Sequence, residues 1–156
     1  MKRLITIFAL SIAALLVPDN LAAQSDAFKR YQNTYTGLEG VSITTISPTL
    51  LRMAGGQQSE EFRSMIDKLK GITIIVADDH FDILKTEINR VIKDGEYEVI
   101  TSVVDGSQTV KVCMRQISRK ENELLMINMD KEEFVVVNIV GDMSPDQMLS
   151  VGRGMM

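Results

Sequence analysis

The sequence is short of most residues that usually announce chemistry. Its 156 residues hold no Trp, one His, one Cys and three Pro. A single Cys excludes a disulfide within the chain, and a single His excludes any mechanism needing a pair of imidazoles. Without Trp, the many carboxylates lack the aromatic platform on which a sugar-cleaving pair of acids relies. Basic residues are outnumbered, 17 against 21 acidic, for a net charge of −4. That balance argues against a nucleic-acid binder, whose domains concentrate positive charge on one face. No GxxxxGK, GxGxxG or GxSxG motif is present, so no phosphate loop or nucleophile elbow is indicated. What remains is 45% hydrophobic and 24% charged, ordinary globular composition.

The N-terminus reads as an address. Met1-Lys2-Arg3 is a positive start, and Leu4 to Val17 is an uncharged run of fourteen residues. A spanning helix needs roughly 20 apolar residues, so the run is short for a membrane anchor. Pro18-Asp19-Asn20 breaks it and Leu21-Ala22-Ala23 supplies small residues before Gln24, the layout of a cleaved secretory signal over residues 1–23. No Cys follows the run, which excludes a lipoprotein anchor at that point. No second run reaches spanning length, so no transmembrane segment is expected in residues 24–156, read as a single domain. Its size allows one core to form without disulfide or metal.

Periodicity gives the elements. Phe28, Tyr31 and Tyr35 form one stripe of a short helix, ended by Gly37 and Gly40. Val41–Ile46 is β-branched and reads as an edge strand, Thr49–Ala54 as a helical turn, and 55–58 as the most flexible internal loop. Ser59 then caps a helix whose inward face is Phe62, Met65, Ile66 and Leu69, with Gly71 just past its end. Ile72–Ala77, apolar without alternation, reads as a central strand covered on both faces. Asp79 is expected to cap a second helix, His80 to Lys93, with Phe81, Leu84, Ile88, Val91 and Ile92 inward. From Glu96 the period becomes two. Tyr97–Val104 and Thr109–Ile117 flank Asp105-Gly106 as one hairpin, and Glu123–Met129 and Glu133–Val140 form another. Ser144-Pro145-Asp146-Gln147 starts a terminal helix, with Gly152 to Met156 as a frayed tail. The result is an α+β fold: a mainly antiparallel sheet of about six strands, β-α-β-α then a four-strand meander. Its two amphipathic helices are expected mostly on one face.

Five features of the sequence bear on function. His80 sits among Asp78, Asp79 and Asp82, a combination suited to a metal or a general base. A helix start accounts for the same acids, because its dipole and free N–H groups favour them, so no metal, cofactor or catalytic residue is assigned. Cys113 shares a strand face with Lys111 and Arg115, cations that can activate a thiol, yet any solvent-side row has that look. The carboxylates Glu96, Glu98, Asp105, Glu121, Glu123, Asp130, Glu132 and Glu133 fall at turns and strand ends, where solvated charge is expected. The ten methionines suit a core, an adaptable surface or the tail. The 123–140 hairpin is apolar on both faces: Leu124 and Met126 oppose Leu125, Ile127 and Met129, and Val135, Val137 and Ile139 oppose Phe134, Val136 and Val140. Such a surface must be covered by the terminal helices or by another chain.

Gly40-Val-Ser-Ile-Thr-Thr-Ile-Ser-Pro-Thr-Leu-Leu-Arg-Met53, the Ile72-Thr-Ile-Ile-Val76 strand, Lys93-Asp-Gly-Glu-Tyr-Glu-Val99 and Val110-Lys-Val-Cys-Met-Arg115 follow one another as in a known family. In these segments the chain resembles the domain of unknown function 4252 family, small exported proteins of Bacteroidota. The resemblance implies export to the periplasm or outer envelope and supplies no catalytic residues. Genes of such proteins neighbour envelope-linked sigma and anti-sigma factors, which implies a part in envelope homeostasis or stress response. The expectation is therefore a non-enzymatic envelope protein whose partner is another envelope protein or a second copy, met through the 123–140 hairpin. The alternative is a carrier or sensor of a small apolar ligand or lipid held between sheet and helices.

Overall fold

The structure, a computed structural model, describes residues 23–54 and 59–155. The expected leader therefore lies outside the described residues except for Ala23, as does the expected loop at 55–58.

Helix α1 (Asp26–Tyr35) starts at Ser25, whose hydroxyl accepts from the Phe28 N–H at 3.1 Å. It buries Ala27, Phe28, Tyr31 and Tyr35 on one face, the stripe the spacing predicts. Strand β1 (Val41–Ile46) leads through α2 (Pro48–Ala54) and α3 (Glu60–Lys68) into β2 (Leu69–Ala77). Helix α4 (Phe81–Asp94) then crosses to β3 (Glu98–Asp105), β4 (Gln108–Gln116), β5 (Asn122–Met129) and β6 (Phe134–Gly141). Helix α5 (Pro145–Met155) closes the chain with a reciprocal cap: Ser144 N donates to Gln147 Oε1 at 3.1 Å, and Gln147 N to Ser144 Oγ at 3.4 Å. It continues through the glycine-containing segment expected to fray.

The six strands lie in the order β1-β2-β6-β5-β4-β3, every neighbouring pair antiparallel. The fold is the α+β arrangement the sequence predicts, with β1 at one edge and β3 at the other. The β3–β4 connection is Gly106-Ser107, since Asp105 pairs with Gln108. Gly106 supplies positive φ at the first turn position, where a side chain is disfavoured.

The helices divide between the two faces, which corrects the expectation that most share one. Helices α1 and α4 pack on the face bearing Ile75, Leu125, Ile127, Phe134 and Val136. Helices α3 and α5 cover the opposite face, with Ile72, Leu124, Met126, Val137 and Ile139. The reason lies in the central strands: β2, β5 and β6 are apolar on both faces, and each face needs a cover. The 123–140 hairpin is thus enclosed by the chain's own helices.

Two boundaries also differ. Helix α3 ends at Lys68, and Leu69 opens β2, leaving Gly71 inside the strand beside a register shift against β6. The Lys68 carbonyl accepts from Asp142 N at 2.8 Å, so pairing with the end of β6 overrides the helical stripe. At α4 the N-cap residue is His80, left-handed at φ 61° and without a side-chain cap. The Asp79 carboxylate accepts from His80 N at 2.6 Å and does not cap the helix.

Candidate interaction surface

His80 is partly exposed, and Asp78, Asp79 and Asp82 are exposed around it. Among the described residues, no group of three or more His, Cys, Asp or Glu side chains is placed to hold a metal. The Asp79–His80 bond shapes the turn into α4, and the structure gathers no further chemistry there.

Cys113 does share a face with Lys111 and Arg115, but that face lies beneath α1 and α4. The thiol is fully buried between Val99 of β3 and Leu125 of β5, its neighbours in register. Burial pushes its pKa up, and the Lys111 charge offsets this only in part. Lys111 itself reaches over to Asn89 of α4, at 3.0 Å. A buried, protonated thiol is a core residue and not a nucleophile.

One polar constellation escaped the sequence analysis. Glu123, placed there among the solvated carboxylates, is fully buried at the start of β5. Its Oε2 accepts from Arg115 Nη2 at 2.6 Å and Nε at 3.0 Å, and its Oε1 from Asn138 Nδ2 at 2.8 Å. The Ser25 N–H adds 3.0 and 3.2 Å contacts to the two oxygens. Burial alone lowers the pKa of the Arg115 guanidinium, but the bond to Glu123 and its charge outweigh this and raise it. Around this pair, the segment Ala23-Gln24-Ser25 is laid onto the sheet. Gln24 Nε2 donates to Asn138 Oδ1 at 2.7 Å and Thr73 Oγ1 at 3.1 Å. Ser25 Oγ bonds Tyr97 Oη at 2.7 Å, and Arg115 Nη2 also donates to the Ala23 carbonyl at 3.0 Å. Asn138, a lone amide in the apolar run of β6, was the signal that could have found it. A buried carboxylate whose acceptor sites are all spoken for by a cation, an amide and a backbone N–H is a structural tie.

The exposed apolar surface lies elsewhere. All eight residues of β3 are exposed, on both faces of the strand. Val99, Ile100, Val103 and Val104 show 48%, 50%, 55% and 70% of their surface. The other edge differs, since every residue of β1 is partly covered. The contrast follows from the helix layers: α5 packs on β5 and β6, and α4 against α1, leaving β3 beyond the rim of both layers. Beside the start of β3 opens a cleft of about 910 Å³, with Ile100, Met114 and Met143 as apolar lining and Arg119 and Lys120 as exposed cations.

The sequence pattern of a family described as domain of unknown function (DUF4252) matches residues 35–151. The chain belongs to the DUF4252 family. The matched span contains the whole sheet, including the bare β3 edge. It leaves out the Ala23–Ser25 segment and nearly all of α1, so the strap on the buried carboxylate precedes the part on which DUF4252 membership rests. No curated protein matches the chain.

Proposed function

We propose that this DUF4252 protein is an exported, non-enzymatic component of the cell envelope that works by binding another protein chain in envelope homeostasis or stress response. We further propose that β3 is the surface it uses. The observation that carries this reading is the run of eight exposed residues on an unpaired edge strand, with four large apolar side chains among them. An edge of this kind offers a row of free N–H and C=O groups to an added strand, and alternate apolar side chains for grip. The β3 edge suits that role better than the 123–140 hairpin, whose two faces are packed against helices of the same chain. The layers between sheet and helices are packed with buried side chains, which supports the interaction reading over a carried apolar ligand.

The test is affinity capture from gently cross-linked, intact source cells, comparing wild type with Val103→Lys and with Ile83→Lys. Ile83 is also exposed, at 57%, but lies on α4, away from the edge. A stoichiometric envelope-protein or self-complex lost with Val103→Lys and kept with Ile83→Lys supports the reading. A complex indifferent to Val103→Lys removes β3 as the surface.

A further inference from the structure

We infer that the occupant of the β3 edge is a second copy of this chain, paired antiparallel about a two-fold axis at Val103 into one continuous twelve-stranded sheet. This rests on the reading of β3 as an interaction edge and goes on to name its partner and register.

The first support is that β3 keeps only one of the usual protections, a bulge near one end. Edge strands of monomeric proteins carry Lys or Pro, or an inward charge, that discourage pairing. Strand β3, Glu98-Val-Ile-Thr-Ser-Val-Val-Asp105, has none of these, and its only charges stand at the two ends. A bulge at Val99–Thr101 disturbs one end and leaves Thr101 to Asp105 regular.

The second support is geometric. Directly opposed residues of an antiparallel pair point to the same face. A strand paired with its own copy must therefore be centred on a residue, never between two. Centred on Val103, its valine meets the partner's valine, Ser102 meets Val104, and Asp105 meets Thr101. No carboxylate then faces another. Centred on Ser102, the bulge would bring Glu98 opposite Asp105, a like-charge pair that destabilises the alignment.

The third support is charge. The antiparallel two-fold sets the hairpin tip of one copy beside the strand base of the other. The tip carries Asp105 and also Asp130, held there by the bond from Ser107 Oγ at 3.1 Å. The base carries Lys68, Arg119 and Lys120 along the cleft beside Ile100 and Met114, against the carboxylates Glu98 and Asp142, and so keeps a small excess of positive charge. With Lys131 counted beside Asp130, the tip still has more negative than positive charge, and the base the reverse. The antiparallel arrangement thus sets a net attraction between tip and base in both copies at once.

Cysteine cross-linking tests the register in the full chain as purified from cells, because the native Cys113 is buried. Under mild oxidation, Val103→Cys is expected to give a disulfide-linked dimer, since residues on the axis fall within disulfide reach. Val104→Cys, more exposed but opposite Ser102, is expected to stay monomeric. Sedimentation of the wild type at micromolar concentration should show twice the chain mass, and Val103→Lys the single mass. A wild type of single mass, or equal cross-linking at 103 and 104, overturns the self-pairing. If Val103→Lys nevertheless abolishes capture of a different envelope protein, the edge reading stands and only the second copy falls. If capture is also unchanged, both fall.

Discussion

At the scale of single residues, the buried groups work by staying in one protonation state. Tyr97 and Tyr31 are pushed above their ordinary 10.0, chiefly by burial, with the Glu123 charge adding at Tyr97 and that of Tyr35 at Tyr31. Cys113 is raised above 9.0 by burial as well. All three are therefore neutral in the fold at a pH where the unfolded chain has begun to ionise. A group whose folded pKa is raised gives stability that is complete below its unfolded pKa and lost as pH climbs past it. We expect urea midpoints to hold at neutrality and to fall above about pH 9, each such group costing about 1.4 kcal/mol per pH unit. Over the same range Cys113 should resist alkylation until the chain unfolds. A midpoint unchanged to about pH 10.5 would show that these side chains are hydrated in the folded protein. Alternation correctly grouped Cys113 with Lys111 and Arg115. It could not say that helices cover that face, because a strand's pattern records which residues share a side and not what lies over it. The burial of Glu123 was hidden for the same reason, its partners coming from residues 25, 115 and 138.

At the scale of elements, strand periodicity and turn dipeptides were the legible part. Six strands are found close to where period and punctuation put them, although β2 opens three residues earlier and the β3–β4 turn falls one residue later. The capped starts of α3 and α5 are where the sequence places them. The end of α3 was not legible. There the helical stripe continued through Leu69, while a long-range contact at Lys68 decided the boundary. That contact is tight: a Cβ on Gly141 would stand 2.7 Å from the Lys68 carbonyl oxygen and 3.2 Å from Leu69 Cα. Both obstacles are backbone, so the end of β6 and the α3–β2 junction would have to part. Gly141→Ala is expected to cost about 1–3 kcal/mol, read as a lower urea midpoint at unchanged slope. By contrast, Gly106 has open space around its Cβ position, so its need for glycine is one of φ alone. If Gly141→Ala is as stable as wild type, the junction is looser than this packing implies and the early end of α3 needs another cause.

At the scale of the whole molecule, the sequence left strand order open, and the reason is physical. Nothing local in β2 specifies that β6, some sixty residues on, becomes its neighbour. That pairing forms because two strands apolar on both faces bury most when set side by side under two helical layers. The same arrangement leaves a polar seam at one end of the sheet, from Thr73 and Asn138 to Glu123 and Arg115, which the Ala23–Ser25 strap closes. The strap thus joins α1 to four strands, and its loss should be felt by the entire fold. A chain beginning at Gln24 and one beginning at Asp26 make the comparison. The shorter chain forgoes the Ser25 cap on α1, a contribution of about 1 kcal/mol. It also forgoes the strap's buried hydrogen bonds to Thr73, Asn138, Glu123 and Tyr97, each about 1 kcal/mol net. Water that takes the strap's place returns part of this, so a net loss of about 3 kcal/mol, or roughly 10 °C in Tm, is expected. Equal melting of the two chains would mean that the buried carboxylate is satisfied without the strap, and that the sheet and its helices alone make the stable unit.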